Sequence, residues 1–329
     1  MRFSIRLNND LPVDAYPELA RKAEQAGFDA IWVSNDLFLR SAWVILSAMA
    51  RDTRTIQLGT CIVNPFTQHT AEIAMAAATL DELSHGRFLL GISSGADDFL
   101  TWVGIPAEHP VATVANTVVA LRHLFDGKRV EGWTDAAYLR FATRRIPIYV
   151  GAMSPRMLEL IGTHADGGLP LLFPPEYFAE VREHVARGAA RAGRNIADLD
   201  VAACIWCSVS NDRAAAERAL REKVAYYGYS LSPTILARLD LSQEEFEPIR
   251  QAMQVERDPE RAIGMVTPEM LRIGVVGTAE ELVPRLEDLV ALGATHLSFG
   301  PPLGPDPFEA VDVLGQKVLP HFKPHNVAR

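Results

Sequence analysis

Cysteine is scarce in this chain: only Cys61, Cys204 and Cys207 occur among its 329 residues. A disulfide-stapled domain is excluded, because such domains are small and rich in cysteine. Cys204 and Cys207 have the C-x-x-C spacing of some redox and zinc sites. However, they lie inside the apolar run 201–209, and no second ligand pair accompanies them. We therefore interpret both as thiols of the hydrophobic core.

Positive charge and long apolar runs are lacking as well. With 32 Lys and Arg against 41 Asp and Glu, the formal net charge is −9, which argues against a basic nucleic-acid surface. No apolar run reaches about eighteen residues, and no apolar segment with a small-residue cleavage site follows Met1. We therefore expect no membrane span and no secretory signal. The sequence predicts a cytoplasmic protein without a nucleic-acid or membrane partner.

Two common site signatures are also missing. No strand-like run leads into a G-x-G-x-x-G turn, which disfavours a dinucleotide-binding fold. The nine histidines include no H-E-x-x-H motif, so we predict no metal site.

What the chain does contain is a regular alternation of apolar strand-like runs and amphipathic helices. The run 28–33 follows a helix that stops at Gly27, and the run 56–63 precedes an alanine-rich helix over 71–83. About eight such units predict a parallel sheet covered by helices and closed as a (β/α)8 TIM barrel. We predict a single domain over residues 1–329.

Two segments interrupt this alternation. Residues 127–145 are predicted to hold a short hairpin. Residues 230–267 are polar, helix-rich and too long for a plain loop, so we predict a helical insertion there that forms a lid or a dimer contact.

The loops that follow the predicted strands carry a series of motifs. They are GTCIVNPFTQH at 59–69, TLDELSHGR at 79–87, IYVGA at 148–152 with Ser154-Pro155, ADG at 165–167, and FGPPLGPDP at 299–307. In this order they resemble the luciferase-like superfamily, and most closely its F420-dependent methylenetetrahydromethanopterin reductase branch. The resemblance implies a luciferase-like barrel, a homodimer and a deazaflavin held over the C-terminal mouth of the barrel.

The resemblance also implies where the cofactor lies. It places a cis bond between non-proline residues at Cys61–Ile62, behind the cofactor ring, and the cofactor phosphate at the turn 151–154 and the loop 170–173. Backbone N–H groups at a helix start favour anions, although Ser154 also fits an ordinary helix cap. The predicted cofactor-binding residues are Asn35, Asp36, Cys61, Ile62, Val63, Asn64, Ser94, Gly95, Gly151, Ala152, Met153, Ser154, Leu171 and Leu172.

Four residues are candidates for catalysis. Related enzymes carry Asp-His where this chain has Asn35-Asp36, and Asp36 serves as acid or base if burial raises its pKa from about 3.9; the alternative is a helix-capping aspartate. Asp97 and Asp98 follow a glycine-rich turn after which relatives have an acidic residue one place earlier. His69 is the fourth candidate, with polar lining of the pocket as its alternative.

Four further residues are predicted to line a substrate pocket. Arg6 lies in the first strand, where the reductase branch carries a glutamate. A buried guanidinium needs a partner, which is either Asp36 or Asp97 in a structural salt bridge, or a substrate carboxylate. Phe38, Trp43 and Trp102 are predicted to wall the pocket, with core packing as the alternative.

The resemblance therefore implies an F420-dependent oxidoreductase. Such an enzyme transfers a hydride between C5 of the deazaflavin and a small organic substrate, at a C=C, C=N or C=O bond or an alcohol. Two alternatives stay open: a luciferase-like monooxygenase that uses FMN, and a non-catalytic homologue that has lost its cofactor.

Overall fold

Eight parallel strands close into a barrel in the computed structural model of the chain, which describes residues 1–141, 143–171 and 173–323. The strands are β1 Arg2–Leu7, β2 Ala30–Val33, β3 Gln57–Thr60, β4 Phe88–Ile92, β5 Ile148–Ala152, β6 Gly167–Pro170, β7 Asp200–Val209 and β9 His296–Leu303, with a short additional strand β8 Val275–Gly277. The barrel closes because β9 pairs with both β1 and β7, while β8 pairs only with the end of β7. The predicted TIM barrel is confirmed.

Helices cover the outside of this barrel. They are α1 Ala15–Ala26, α2 Ala42–Asp52, α3 Thr70–Leu83, α4 Asp97–Trp102, α5 Pro110–Phe125, α6 Pro155–His164, α7 Phe178–Arg191, α8 Arg213–Tyr227, α9 Pro233–Leu236, α10 Gln243–Arg250, α11 Pro259–Met265, α12 Ala279–Ala291, α13 Pro307–Val313 and α14 Leu319–Phe322. Helix α1 shows why they pack: it buries Tyr16, Leu19, Ala20 and Ala23, which share one face at helical spacing. It ends at Gly27, whose φ of 82° suits glycine. No helix among the described residues is long and apolar enough to span a membrane.

Side chains alternate between the barrel interior and the outer layer. Cys204 belongs to the inner apolar cluster with Trp32 and Tyr149, whereas Cys207 belongs to the outer cluster beneath the helices. Both are buried free thiols on opposite faces of β7. The interpretation as core thiols is confirmed.

A group of polar side chains fills the N-terminal end of the barrel interior. We call it the basal network, and its members are Arg2, Ser4, Gln57, Tyr149, Asp200, His296 and Ser298. Asp200 Oδ1 lies 3.0 Å from His296 Nδ1, and Oδ2 accepts from Tyr149 Oη at 2.7 Å and forms an ion pair with Arg2. Burial acts to raise the pKa of Asp200, but the bond from His296 and the charges of His296 and Arg2 lower it to about 2.

The basal network includes a serine, a histidine and an aspartate in series. His296 Nε2 lies 2.8 Å from Ser4 Oγ, which lies 2.9 Å from Ser298 Oγ. Ser4 and His296 have no exposed surface, so a substrate has no access to this serine. The group stabilises the barrel rather than forming a hydrolytic site.

The hairpin predicted over 127–145 is wrong: the described parts of this segment, 127–141 and 143–145, contain no strand. The segment forms turns, such as the one closed by the Ala137 N–H and the Thr134 carbonyl at 2.9 Å, and it bonds to neighbouring helices. Thr143 Oγ1 donates to the Phe125 carbonyl at 2.7 Å, and Arg144 makes two bonds, of 2.8 and 2.7 Å, to Asp81 of α3.

The segment predicted as a helical insertion, 230–267, is helical. It contains α9, α10, the π-helical turn Gln251–Val255 and α11. The turn Gln251–Val255 and the residues just after it reach over the C-terminal end of the barrel and contribute Met253, Gln254 and Arg257 to the cavity described next.

Candidate active site

A cavity of about 830 Å³ opens at the C-terminal ends of the barrel strands. We call it the mouth cavity. Its size falls in the range of small-molecule and cofactor sites, and its position is where barrel enzymes carry their active sites. Its lining includes many residues predicted from the sequence: Arg6, Asn35, Asp36, Cys61, Ile62, Asn64, Gly95, Asp98, Trp102, Gly151, Ala152, Met153 and Leu171.

Two predicted residues are held away from the mouth cavity by their own contacts. His69 caps α3 by accepting from the Ala71 N–H at 3.2 Å, and its ring stacks on Trp133. Trp43 donates from Nε1 to Gln68 Oε1 at 3.2 Å and packs on Phe88. The predicted catalytic role of His69 and the predicted pocket role of Trp43 are therefore wrong.

Five other predicted residues also fall outside the lining. Val63 is fully buried in the outer core, and the Ser94 hydroxyl lies beside the carbonyl of its own loop. Asp97 is exposed at the start of α4, away from the cavity. Ser154 caps α6 by accepting from the Met157 N–H at 3.4 Å, and Phe38 is 75% exposed. Leu172 lies outside the described residues.

The wall after β3 has the predicted backbone. The Cys61–Ile62 peptide is cis, which confirms that prediction. A Cβ added to Gly151 would lie 3.0 Å from Ile62 Cγ2 and 3.2 Å from Ser93 Cβ. Glycine at position 151 thus lets the strands after β3, β4 and β5 approach closely behind the cavity.

Ser93 lies in this wall, and its hydroxyl is used in a structural hydrogen bond. Residues 91–95 fit the G-x-S-x-G pattern of serine hydrolases, but Ser93 Oγ donates to the Gly151 carbonyl at 2.7 Å. Among the described residues it has no histidine partner, so it lacks the base that a nucleophilic serine requires.

Asn64 shapes the same side of the cavity. Its Oδ1 accepts from the N–H groups of Phe66 and Thr67 at 3.1 and 2.9 Å, which fixes the turn after β3. Gly95, with a φ of 80°, passes so close that a Cβ there would lie 2.9 Å from Asn64 Nδ2. The loops after β3 and β4 therefore support each other.

Asp36 presents a carboxyl group to the cavity. Burial raises its pKa, and the nearby charge of Lys223 opposes that rise. Asp36 is not the cap of α2, because that helix begins at Ala42, whose N–H donates to Asn35 Oδ1 at 3.1 Å. The capping alternative for Asp36 is therefore wrong, and the side chain is left to face the cavity.

Arg6 enters the cavity floor from β1 and is only 6% exposed. Its Nη2 donates to the Ile205 carbonyl at 2.7 Å, while its buried Nε has no partner among the described residues. No carboxylate of the described chain lies within 4.0 Å of it, so the expected salt bridge with Asp36 or Asp97 is wrong. A Cβ on Gly300 would lie 1.9 Å from Nη2, so only glycine leaves room for this guanidinium.

The cavity also contains a lysine that the motif comparison missed. Lys223 of α8 has its Nζ 4.1 Å from the ring centre of Tyr227 and 5.8 Å from that of Trp206. Burial lowers its pKa to about 8, with the charge of Asp36 opposing and that of Arg6 adding to the effect. A signal was present: Leu220, Lys223, Val224 and Tyr227 share the helical spacing of a buried face.

A group of other lining residues missed by sequence reasoning comes from α8 and the segment after it. Tyr226, Tyr227, Tyr229, Met253 and Arg257 all line the cavity. The cluster of tyrosines at 226–229 is visible in the sequence, but its position over the barrel mouth depends on how the insertion folds back.

The chain is similar to known proteins over nearly its whole length. Residues 1–296 match the family model described as luciferase-like monooxygenase. The 5,10-methylenetetrahydromethanopterin reductase of Archaeoglobus fulgidus is 32% identical over 332 residues, 98% of this chain and 100% of that protein. The enzyme of the same name from Methanolobus tindarius is 31% identical over 97% of this chain and 100% of its own length. The structure of the coenzyme F420-dependent tetrahydromethanopterin reductase from Methanopyrus kandleri has a TM-score of 0.92 at 29% identity, covering 98% of this chain and 99% of that one.

Proposed function

The chain belongs to the luciferase-like family, and on that premise we propose that it is an F420-dependent oxidoreductase acting on a small organic substrate. When bound, coenzyme F420 supplies or accepts a hydride at C5 of its deazaflavin. The protein contributes orientation, a cavity from which water is largely excluded, and a group that handles the accompanying proton.

The observation that carries the proposal is Asp36 at the mouth cavity. Its carboxyl group is partly buried, and burial raises its pKa. A carboxyl group whose pKa is raised by burial is better suited than a solvent-exposed one to donate a proton in reduction and to accept one in oxidation. Asp98 also lines the cavity, but it is exposed at the start of α4, which makes it the weaker candidate.

The shape of the cavity fits a deazaflavin. The apolar Ile62 side chain, beside a glycine at 151 that leaves no side chain in the way, offers a flat wall for a planar ring. Asn35 uses Oδ1 to cap α2, so its Nδ2 remains for a ring carbonyl. Gly151, Ala152 and Met153 line the cavity just before the N-terminus of α6, where an anionic cofactor tail is favoured.

Fluorescence titration with oxidised F420 and with FMN tests the assignment. We expect saturable binding of F420, at least tenfold tighter than binding of FMN. A Gly151→Val variant, which fills the wall behind the ring, should lose F420 affinity, whereas Gly264→Val, at an exposed position of α11 with open space around it, should not. A preference for FMN, with oxygen consumption by the reduced complex, would instead favour the monooxygenase alternative. Failure to bind either cofactor would favour the non-catalytic alternative.

We further propose that the protein is a cytoplasmic homodimer. Leu39, Val44 and Met75 are large apolar side chains exposed on or beside the packed helices α2 and α3, as expected of a surface that a partner covers. Three free thiols accord with a reducing compartment. Light scattering should give a molar mass of twice the 36.2 kDa chain mass. The Val44→Glu variant should have a molar mass closer to that of a single chain. A monomeric wild type would contradict the proposal.

A further inference from the structure

We propose that Arg6 and Lys223 together bind an anionic group of the substrate, a carboxylate or a phosphate, and so determine which substrates the cavity accepts. The reaction carried out on that substrate rests on the proposed function; the anion site rests on the geometry of these two cations.

No carboxylate of the described residues lies within 4.0 Å of the Arg6 guanidinium. Arg6 is only 6% exposed, its Nε has no partner, and its one short bond is to the neutral carbonyl of Ile205. A buried charge without a counter-ion is costly. Because the side chain lines the mouth cavity, a ligand is the group that is placed to supply the missing negative charge.

Lys223 adds a second cation to the same cavity. The charge of Arg6 disfavours the charged form of Lys223, while the charge of Asp36 favours it, and all three side chains line the mouth cavity. No carboxylate of the described residues lies within 4.0 Å of Lys223 Nζ. An anion bound between the two cations would be stabilised by both.

The balance of charge in the cavity points the same way. Arg6, Lys223 and Arg257 are its basic lining residues, and Asp36 and Asp98 its acidic ones. Asp98 lies exposed at the start of α4, so Asp36 is the only carboxylate in the inner part of the described lining. Basic side chains therefore outnumber acidic ones in this cavity.

Aromatic rings beside Lys223 indicate the rest of the ligand. Trp206 and Tyr227 flank Lys223, and Tyr226 and Tyr229 line the same side. These faces suit an apolar, planar body attached to the anionic group. We therefore choose benzoate and phenyl phosphate as probes, with benzamide as the uncharged match to benzoate.

The test is calorimetric titration of each probe into the protein with and without saturating F420. We expect wild type to bind benzoate or phenyl phosphate at least tenfold tighter than benzamide. Tighter binding of benzoate would indicate a carboxylate as the natural anionic group, and tighter binding of phenyl phosphate would indicate a phosphate. Arg6→Met and Lys223→Met should each weaken the anionic probe at least tenfold while leaving benzamide unchanged. Arg218→Gln, which alters an exposed cation on the same helix as Lys223, should change neither.

Each outcome separates the two proposals. Equal binding of benzoate, phenyl phosphate and benzamide, or an anionic affinity that survives Arg6→Met and Lys223→Met, would overturn the anion site even if F420 binds. Selective anion binding by a protein that fails to bind F420 would uphold the site and overturn the proposed function. F420 affinity measured on both variants also reports whether they fold, and Arg6→Lys, which keeps the charge, should recover part of the lost affinity.

Discussion

The two ends of the barrel interior treat buried charge in opposite ways. At the N-terminal end, Arg2 and His296 surround Asp200 in the basal network, and no buried side-chain nitrogen or oxygen of that network lacks a partner among the described residues. At the C-terminal end, Arg6 keeps an unpartnered Nε, and Lys223 and Asp36 keep shifted pKa values without forming an ion pair.

This difference separates stability from function along one axis of the fold. Paired and hydrogen-bonded charges stabilise a structure. Removing one partner destabilises it, because the remaining charges stay buried without a compensating partner. Unpaired charges beside a cavity instead lower stability and leave interactions available to a ligand. The presence of both arrangements within one barrel agrees with the general division between a stabilising bottom and a functional top.

The largest expected effect is at the C-terminal end and concerns catalysis. Replacing Asp36 by Asn removes the proton but keeps the shape, so we expect turnover with F420 to fall by roughly 10²- to 10⁴-fold. Cofactor affinity and the unfolding midpoint should change little. Asp97→Asn is the matched control, because Asp97 is exposed and does not line the cavity. Equal turnover of Asp36→Asn and wild type would remove Asp36 from the chemistry, and a large loss in Asp98→Asn would then identify Asp98 instead.

The next effect is at the N-terminal end and concerns stability. Asp200→Asn should lower the free energy of unfolding by about 3–5 kcal/mol, because Arg2 loses its counter-charge and Tyr149 and His296 lose their bonds to a carboxylate. F420 affinity of the folded variant should stay close to that of wild type. Chemical denaturation monitored by circular dichroism measures the first quantity, and fluorescence titration the second. An Asp200→Asn variant with the same free energy of unfolding as wild type would show that the basal network does not stabilise the N-terminal end of the barrel.

The stability contribution of Asp200 should also depend on pH. The pKa of Asp200 is lowered from 3.8 to about 2 in the folded protein, so its contribution to stability is present above pH 4 and is lost as the pH falls from about 4 toward 2. The difference in unfolding free energy between wild type and Asp200→Asn should therefore shrink across that range. A difference that stays constant down to pH 2 would contradict the assignment of the low pKa to Asp200.

The sequence predicts those features of the barrel that depend on residues close together in the chain, and it misses contacts between residues that are far apart in it. The barrel follows from hydrophobic periodicity, and the cis bond at Cys61–Ile62 and the cap by Ser154 belong to short motifs. The basal network was not predicted, because Asp200 and His296 meet only after the barrel closes. Lys223 was missed for the same reason, although its helical spacing placed it on a buried face.

The wrong predictions have a different cause. His69 and Trp43 follow strands or begin helices near the barrel mouth, which is the right region. Their side chains nevertheless point away, because each finds a neighbour outside the cavity, Trp133 for His69 and Gln68 for Trp43. Position after a strand predicts the neighbourhood of a residue, whereas the direction of its side chain is settled by packing.

Two arginines of β1 test the difference between the two ends of the barrel, with a smaller expected effect on the unfolding midpoint. Arg2→Met and Arg6→Met make the same change at the two ends of β1. Arg2→Met should lower the unfolding midpoint by several degrees, since it removes the guanidinium that forms an ion pair with Asp200 and leaves only the bonds from Tyr149 and His296. Arg6→Met should leave the midpoint within about 2 °C of wild type or raise it, because it removes a buried charge that lacks a counter-ion. Differential scanning calorimetry without ligand decides the matter, and equal losses in both variants would erase the distinction between the two ends.

The smallest expected effect is the pH dependence of anion binding. Lys223 has a pKa lowered to about 8, and the charged groups that act on it are Asp36, Arg6 and Asp10. Its positive charge is therefore complete well below pH 8 and is lost as the pH rises through that value. We expect benzoate affinity to fall by up to about tenfold between pH 7 and 9, since one of two cations is neutralised while Arg6 stays charged. Lys223→Arg should abolish this decline, because a guanidinium does not titrate in that range. A decline that persists in Lys223→Arg would assign the titration to another group, and would leave Arg6 as the sole cation of the site.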